Sequence, residues 1–169
     1  MKKLSFLFLM LGMLACQEAP KKKAPNILIL HADQWRAQAF GYAGDPNVKT
    51  PNFDAFAARS ANFPLAVSGM PVCTPHRASL LTGQRSLTNG IFMNDVQLDT
   101  NAITLAEVLV EQGYQTGYIG KWHLDGRGRS DFTPPGARRQ GFQYWKALEC
   151  THNYNKSAYY FGNNPQKKF

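Results

Sequence analysis

The chain has 169 residues, of which 44% are hydrophobic, so it carries enough apolar side chains for the core of one ordinary domain. Its formal net charge is +8, but many of the lysines lie near the two ends, at residues 2–3, 21–23 and 167–168. No basic stripe interleaved with aromatic side chains crosses the middle of the chain. We therefore predict no nucleic-acid partner, and the remaining positive charge suits an anionic substrate.

The first 16 residues have the pattern of a bacterial signal peptide. Lysines at residues 2–3 precede an apolar run over residues 4–14, which is too short to span a bilayer as a helix. The run ends at Cys16, whose position resembles the lipid-attachment site of lipoproteins, and we favour this over an ordinary secretory signal. We predict an exported protein, in the periplasm or as an outer-membrane lipoprotein, which contacts a membrane only through that lipid. Residues 17–25, charged and proline-bearing, are predicted to form a tether.

The next segments predict strands and helices in alternation. The apolar run 26–32 (NILILHA) has the length of a buried parallel strand. Thr50 and Pro51 then mark the start of a helix, since threonine caps helices well and proline fits their first turn.

A second helix is predicted at Thr104, which stands three residues before Glu107, the spacing of a capping box. Gly113 ends this helix, and residues 115–120 (QTGYIG) return as a strand. Strand, helix and strand joined by short links predict an α/β fold with a mostly parallel sheet and flanking helices.

Polar side chains follow both predicted strands. Asp33 and Gln34 come after the first strand, and Lys121 and His123 come after the later one. Ligands of parallel sheets gather at the carboxyl ends of the strands, so we expect these side chains to share a site. On an extended segment, Lys121 and His123 would point to the same side, opposite to Trp122.

The most informative motif is CTPHRASLLTG, over residues 73–83, in which cysteine, proline and arginine have a spacing that chance rarely produces. Together with PNILILHADQ, TPNFDAFA and GKWHLDG, it resembles the formylglycine-dependent (type I) sulfatases of the alkaline-phosphatase-like superfamily. The resemblance covers about residues 25–150. It implies an alkaline-phosphatase-like α/β fold, with residues 26–169 as the N-terminal part of the catalytic domain.

The resemblance also implies a chemistry. A maturation enzyme would oxidise Cys73 to formylglycine, whose hydrate carries two hydroxyl groups on one carbon. One hydroxyl attacks the sulfur of a sulfate ester, and the other later expels sulfate by restoring the aldehyde. Arg77 would hold the hydrate, Lys121 would bind sulfate oxygens, and His123 would hydrogen-bond the formylglycine. Pro75 favours a helix start just beyond Cys73, with backbone dipoles directed at an anion.

A metal site is implied at Asp33 and Gln34, with the formylglycine from Cys73 as a further ligand. The family more often has two aspartates here, but a glutamine carbonyl oxygen also suits a hard cation, calcium in preference to magnesium. The metal would polarise the sulfate and acidify the attacking hydroxyl. The alternative for Asp33 is a loop aspartate that hydrogen-bonds its own backbone.

Several functional residues of the family have no counterpart after His123, namely an Asp and Asn pair for the metal and a second histidine and lysine. We therefore expect a truncated catalytic domain that is inactive alone. Three functions stay open for the protein. The first, which we favour, is hydrolysis of sulfate esters on a sulfated small molecule or polysaccharide. The second is hydrolysis of phosphonate monoesters or phosphodiesters with the same nucleophile, and the third is a non-catalytic remnant.

Overall fold

The structure is a computed structural model that describes residues 24–169. The chain divides into two compact units, Met1–Trp35 and Arg36–Phe169. The predicted signal peptide over residues 1–16, and the predicted tether over 17–25 except for its last two residues, lie outside the described residues. In the described part, no helix is both long enough and apolar enough to cross a membrane.

In the first unit, residues 24–32 form an exposed segment without regular secondary structure. Leu28 and Leu30 are 81% and 78% exposed, so the prediction of a buried strand over residues 26–32 is wrong for this structure. A strand needs a neighbour that supplies ladder hydrogen bonds. Residues 24–32 contain no strand.

The second unit begins with helices and ends with a sheet. Its helices are α1 (Pro51–Ala57), α2 (Cys73–Thr82), α3 (Ser86–Asn89) and α4 (Leu105–Glu111), with 3-10 turns at Gly41–Ala43, Ala137–Arg139 and Tyr154–Lys156. Its strands are β1 (Gly117–Lys121), β2 (Tyr144–Leu148), β3 (Tyr159–Phe161) and β4 (Asn164–Lys168).

Both predicted helix starts are confirmed. Helix α1 begins at Pro51, directly after Thr50, although the Thr50 side chain makes no capping hydrogen bond. Helix α4 follows Thr104, and both hydrogen bonds of the capping box with Glu107 are present, which satisfies backbone N–H groups that a helix start would leave unpaired. Gly113 lies two residues past the end of α4 with a φ of 82°, a left-handed conformation that glycine adopts without strain.

The sheet has the strand order β1-β2-β3-β4. Strands β1 and β2 are parallel, whereas β2 pairs with β3, and β3 with β4, in antiparallel fashion. The α/β class is confirmed, but the sheet of the described residues is mixed rather than mostly parallel. The reason is the two-residue turn of Gly162 and Asn163 between β3 and β4, because a connection this short can only join antiparallel strands.

Helix α2 and the sheet share one hydrophobic core, which positions the residues described next. Ala78 and Leu81 of α2 belong to it, together with Trp122 and Trp145, whose ring centroids lie 5.1 Å apart in an edge-to-face arrangement. Both indole side chains are almost completely buried, and large buried aromatics dominate core energetics. Since Trp122 directly follows the last residue of β1, its burial fixes the end of that strand beside α2.

Candidate active site

Cys73 is the first residue of helix α2 and is half-buried, with a free thiol. The helix thus starts at the cysteine itself rather than just beyond it. The next backbone N–H, that of Thr74, donates to Asn94 Oδ1 at 3.0 Å, and Pro75 has none. Thr74 and Pro75 therefore offer no open backbone N–H group to an anion at the start of α2.

The residues that surround Cys73 in the motif are less accessible than Cys73 itself. Thr74 is 0% exposed, Pro75 is fully buried, and Arg77 is 7% exposed. The Arg77 guanidinium lies between helix and strand, because its Nη1 donates to the Lys121 carbonyl at 2.5 Å and to the Tyr118 hydroxyl at 3.1 Å. These hydrogen bonds from Arg77 link helix α2 to the carboxyl end of β1.

Lys121, the last residue of β1, reaches the cysteine. Its Nζ lies 3.3 Å from Cys73 Sγ, so the fold brings together two residues 48 positions apart in the sequence. In the predicted enzyme, the Cys73 sulfur stands in for the oxygens of a formylglycine at the same position. An ammonium group at this distance from a nucleophile also lies where it could contact the oxygens of a bound anion.

His123 is placed differently from the expected extended segment. Its φ is 56°, so the chain leaves the strand geometry after Lys121. The imidazole is 3% exposed, and its Nε2 lies 2.7 Å from Asp95 Oδ1. Among the described residues, its buried Nδ1 has no hydrogen-bond partner.

Asp95 and Arg129 complete this cluster, and sequence reasoning missed both. Arg129 Nη2 donates to Asp95 Oδ2 at 2.7 Å, and its Nε donates to Oδ1 at 3.1 Å. The hydrogen bonds from Arg129 and His123 hold the pKa of Asp95 at about 2, against the opposing effect of burial. Burial is the largest effect on His123 and lowers its pKa, although Asp95 acts in the opposite direction.

Asp33 and Gln34 belong to the first unit and form part of an exposed bend. Gln34 has a φ of 37°, a left-handed backbone conformation that is uncommon for a residue other than glycine. Their carboxylate and amide oxygens fit the donor chemistry of a hard cation. Among the described residues, no group of three or more His, Cys, Asp or Glu side chains is arranged to hold a metal.

A second buried acidic cluster lies next to the site, just after β2. Glu149 is 2% exposed, and its carboxyl oxygens accept hydrogen bonds from the Asp125 backbone N–H at 3.0 Å and the Thr133 hydroxyl at 3.3 Å. Asp125 itself pairs with Arg138. Burial, helped by the nearby Asp125 carboxylate, raises the pKa of Glu149 to about 7.

This pKa predicts a pH dependence of stability. Because folded Glu149 binds its proton more tightly than an unfolded glutamate would, its contribution is largest below about pH 4.5 and declines towards pH 7, by at most about 1.4 kcal/mol per pH unit. The variant Glu149→Gln should lack this decline. Urea unfolding at pH 5 and pH 8 measures the difference, with the exposed Glu111→Gln as control. Equal pH dependence in wild type and Glu149→Gln would contradict the prediction.

Most of the chain is similar in sequence to known proteins. Residues 25–168 match the profile of the family described as Sulfatase. An ulvan-active sulfatase of Formosa agariphila is 57% identical over 153 residues, which make up 90% of this chain and 29% of that protein. Arylsulfatase A of Bos taurus is 36% identical over 135 residues, or 76% of this chain and 26% of that protein.

A solved structure is also similar. The crystal structure of a protein assigned as the sulfatase YidJ, from Bacteroides fragilis, superposes with a TM-score of 0.80 at 33% sequence identity. The match covers 91% of this chain and 38% of that one. The chain therefore spans less than a third of the length of the two curated relatives named above.

Proposed function

Because this chain belongs to the sulfatase family over residues 25–168, we propose that the protein hydrolyses sulfate esters on a carbohydrate, with Cys73 converted to formylglycine as the nucleophile. The observation that carries the proposal is the 3.3 Å contact between Lys121 Nζ and Cys73 Sγ at the start of helix α2. It brings together a nucleophile position and a cation that can neutralise the charge of a sulfate group.

The side chains around Cys73 have separable roles in this proposal. Arg77, which is buried and anchored to the end of β1, orients the nucleophile and adds positive charge beside it. Lys121 binds the sulfate oxygens. His123, whose Nδ1 is buried without a partner among the described residues, accepts a proton at the nucleophile. When formylglycine is in place, its hydrate supplies the second hydroxyl group needed to release sulfate.

We also propose that a divalent metal, calcium in preference to magnesium, binds at Asp33, Gln34 and residue 73. The support is the donor set, since hard cations select carboxylate, carbonyl and hydroxyl oxygens. Bound there, the metal would polarise the sulfate group.

A sulfated polysaccharide is the substrate class that we propose, because the relative that is 57% identical is named as active on ulvan. We propose one further partner and a cellular location from the sequence. A formylglycine-generating enzyme would modify Cys73, and the leader pattern over residues 1–16 supports export to the periplasm or outer membrane.

A substrate comparison tests the proposal. The full-length protein, produced with a maturation enzyme, should release inorganic sulfate from ulvan oligosaccharides, as measured by ion chromatography. Turnover of a phosphonate monoester or a phosphodiester should be at least about tenfold lower in kcat/KM. Faster turnover of the phosphorus esters would favour the alternative hydrolase, and no turnover of either class would favour a non-catalytic protein.

A further inference from the structure

The loop that carries Asn94 and Asp95 is fastened to the start of helix α2. Asn94 Oδ1 accepts the Thr74 N–H at 3.0 Å, and the Asp95 N–H donates to the Thr74 hydroxyl at 3.3 Å. Thr74 is the neighbour of Cys73 and is completely buried. The position of Asp95 is therefore set by the residue next to the nucleophile.

The carboxylate of Asp95 determines which nitrogen of His123 carries the proton. With its pKa at about 2, Asp95 is ionised at neutral pH and can only accept hydrogen bonds. Nε2 of His123, 2.7 Å from Asp95 Oδ1, must then be the donor. Because burial lowers the pKa of His123, the ring is neutral near pH 7, and its Nδ1 bears a lone pair.

The two residues of this pair have backbone conformations that are uncommon for residues other than glycine. Asp95 has a φ of 64° and His123 a φ of 56°, so both partners adopt the left-handed region. Such conformations have an energetic cost in residues other than glycine and persist where the surrounding structure enforces them, often at functional sites. Here the Thr74 hydroxyl holds Asp95, and the buried Trp122 precedes His123.

We propose that Asp95 is a positioning residue, which fixes the His123 imidazole with its proton on Nε2 and leaves the buried Nδ1 as the acceptor. The inference rests on the proposed function. When Nδ1 takes up the proton that the attacking formylglycine hydroxyl loses as it bonds to sulfur, the ring becomes an imidazolium whose charge the Asp95 carboxylate offsets. Arg129, on the other side of the same carboxylate, keeps Asp95 ionised.

A double-mutant cycle in the full-length, formylglycine-bearing protein tests this role. Asp95→Gly removes the carboxylate and tolerates the positive φ, and Asp95→Asn is a second variant with the same tolerance. We expect either change to lower kcat by about ten- to a hundredfold, with KM changed by less than about twofold. In a His123→Ala background, Asp95→Gly should change kcat by less than about twofold. Asp99→Asn, an exposed aspartate nearby, is the matched control and should behave as wild type.

The outcomes separate positioning from mere structural support. If Asp95→Gly lowers kcat by the same factor with and without His123, Asp95 acts independently of the imidazole and the inference is overturned. An unchanged kcat in both Asp95 variants would also overturn it. If the wild-type protein hydrolyses no sulfate ester, the proposed function fails instead, and a measurement that needs no activity decides the role of Asp95.

That measurement is the ¹⁵N spectrum of the protein labelled at histidine, with His123 assigned by comparison with His123→Ala. The wild-type protein should show the neutral tautomer protonated on Nε2 near pH 7. Asp95→Gly should shift His123 towards a mixture of tautomers, while Asp99→Asn should leave its signals in place. A His123 protonated on Nδ1 in the wild-type protein would contradict the inference, whatever the enzyme assay shows.

Discussion

Replacing Cys73 by alanine should lower sulfate release by at least about a thousandfold, to the limit of detection. Cys73 is half-buried at the start of α2 with the Lys121 ammonium 3.3 Å from its sulfur. Alanine can neither be oxidised to the aldehyde nor supply a hydroxyl nucleophile. The chemistry would therefore be lost, although binding of the substrate by the remaining side chains could persist.

The control for this result is Cys150, the other free cysteine among the described residues. Cys150 is 4% exposed, and Cys150→Ala should keep most of the activity because a buried thiol there only fills space. Mass spectrometry of the peptide that contains residue 73 should show the aldehyde and its hydrate in wild type. An active protein with an unmodified thiol at Cys73 would contradict the expected chemistry.

Loss of the proposed metal ligand should have the second largest effect. Asp33→Ala should lower kcat/KM by at least about a hundredfold in the full-length enzyme, with partial recovery at millimolar calcium. A carboxylate is the strongest ligand in the proposed set, and calcium at high concentration can compensate for weaker binding. Calcium affinity measured by isothermal titration calorimetry should fall in parallel with activity.

A second variant, Gln34→Asp, tests whether Gln34 is also a metal ligand. It restores the pair of aspartates that is commoner in the family and adds one negative charge, so activity should be kept and calcium affinity should increase. If Gln34→Asp abolished activity while circular dichroism and thermal unfolding stayed unchanged, Gln34 would not be a metal ligand. The bend that contains Gln34 would then have a role in which this side chain does not bind the metal.

Local sequence signals predicted the parts of the fold that local geometry controls. The capping box of Thr104 and Glu107 and the proline after Thr50 fixed both helix starts, because such signals depend on residues within one turn. The family motifs pointed to Cys73 and Lys121, which meet in the structure.

Other features depend on distant parts of the chain, and no local pattern could indicate them. Asp95 and Arg129 are brought to His123 by loops with left-handed residues, and their spacing in the sequence carries no motif. The apolar run over residues 26–32 has the composition of a strand, but pairing requires a partner that its own sequence cannot reveal. Likewise, the raised pKa of Glu149 results from its burial, which a sequence does not show.

The burial of the residues next to Cys73 bears on whether the proposed oxidation of this cysteine precedes or follows folding. An enzyme that reads Cys73 together with Pro75 and Arg77 must contact side chains that are fully buried or only 7% exposed after folding. Under the proposed chemistry, the maturation enzyme would therefore have to oxidise Cys73 while this part of the chain is still unfolded. The proposed modification would then compete with folding, and a variant in which α2 folds faster should carry a larger fraction of unconverted thiol at Cys73.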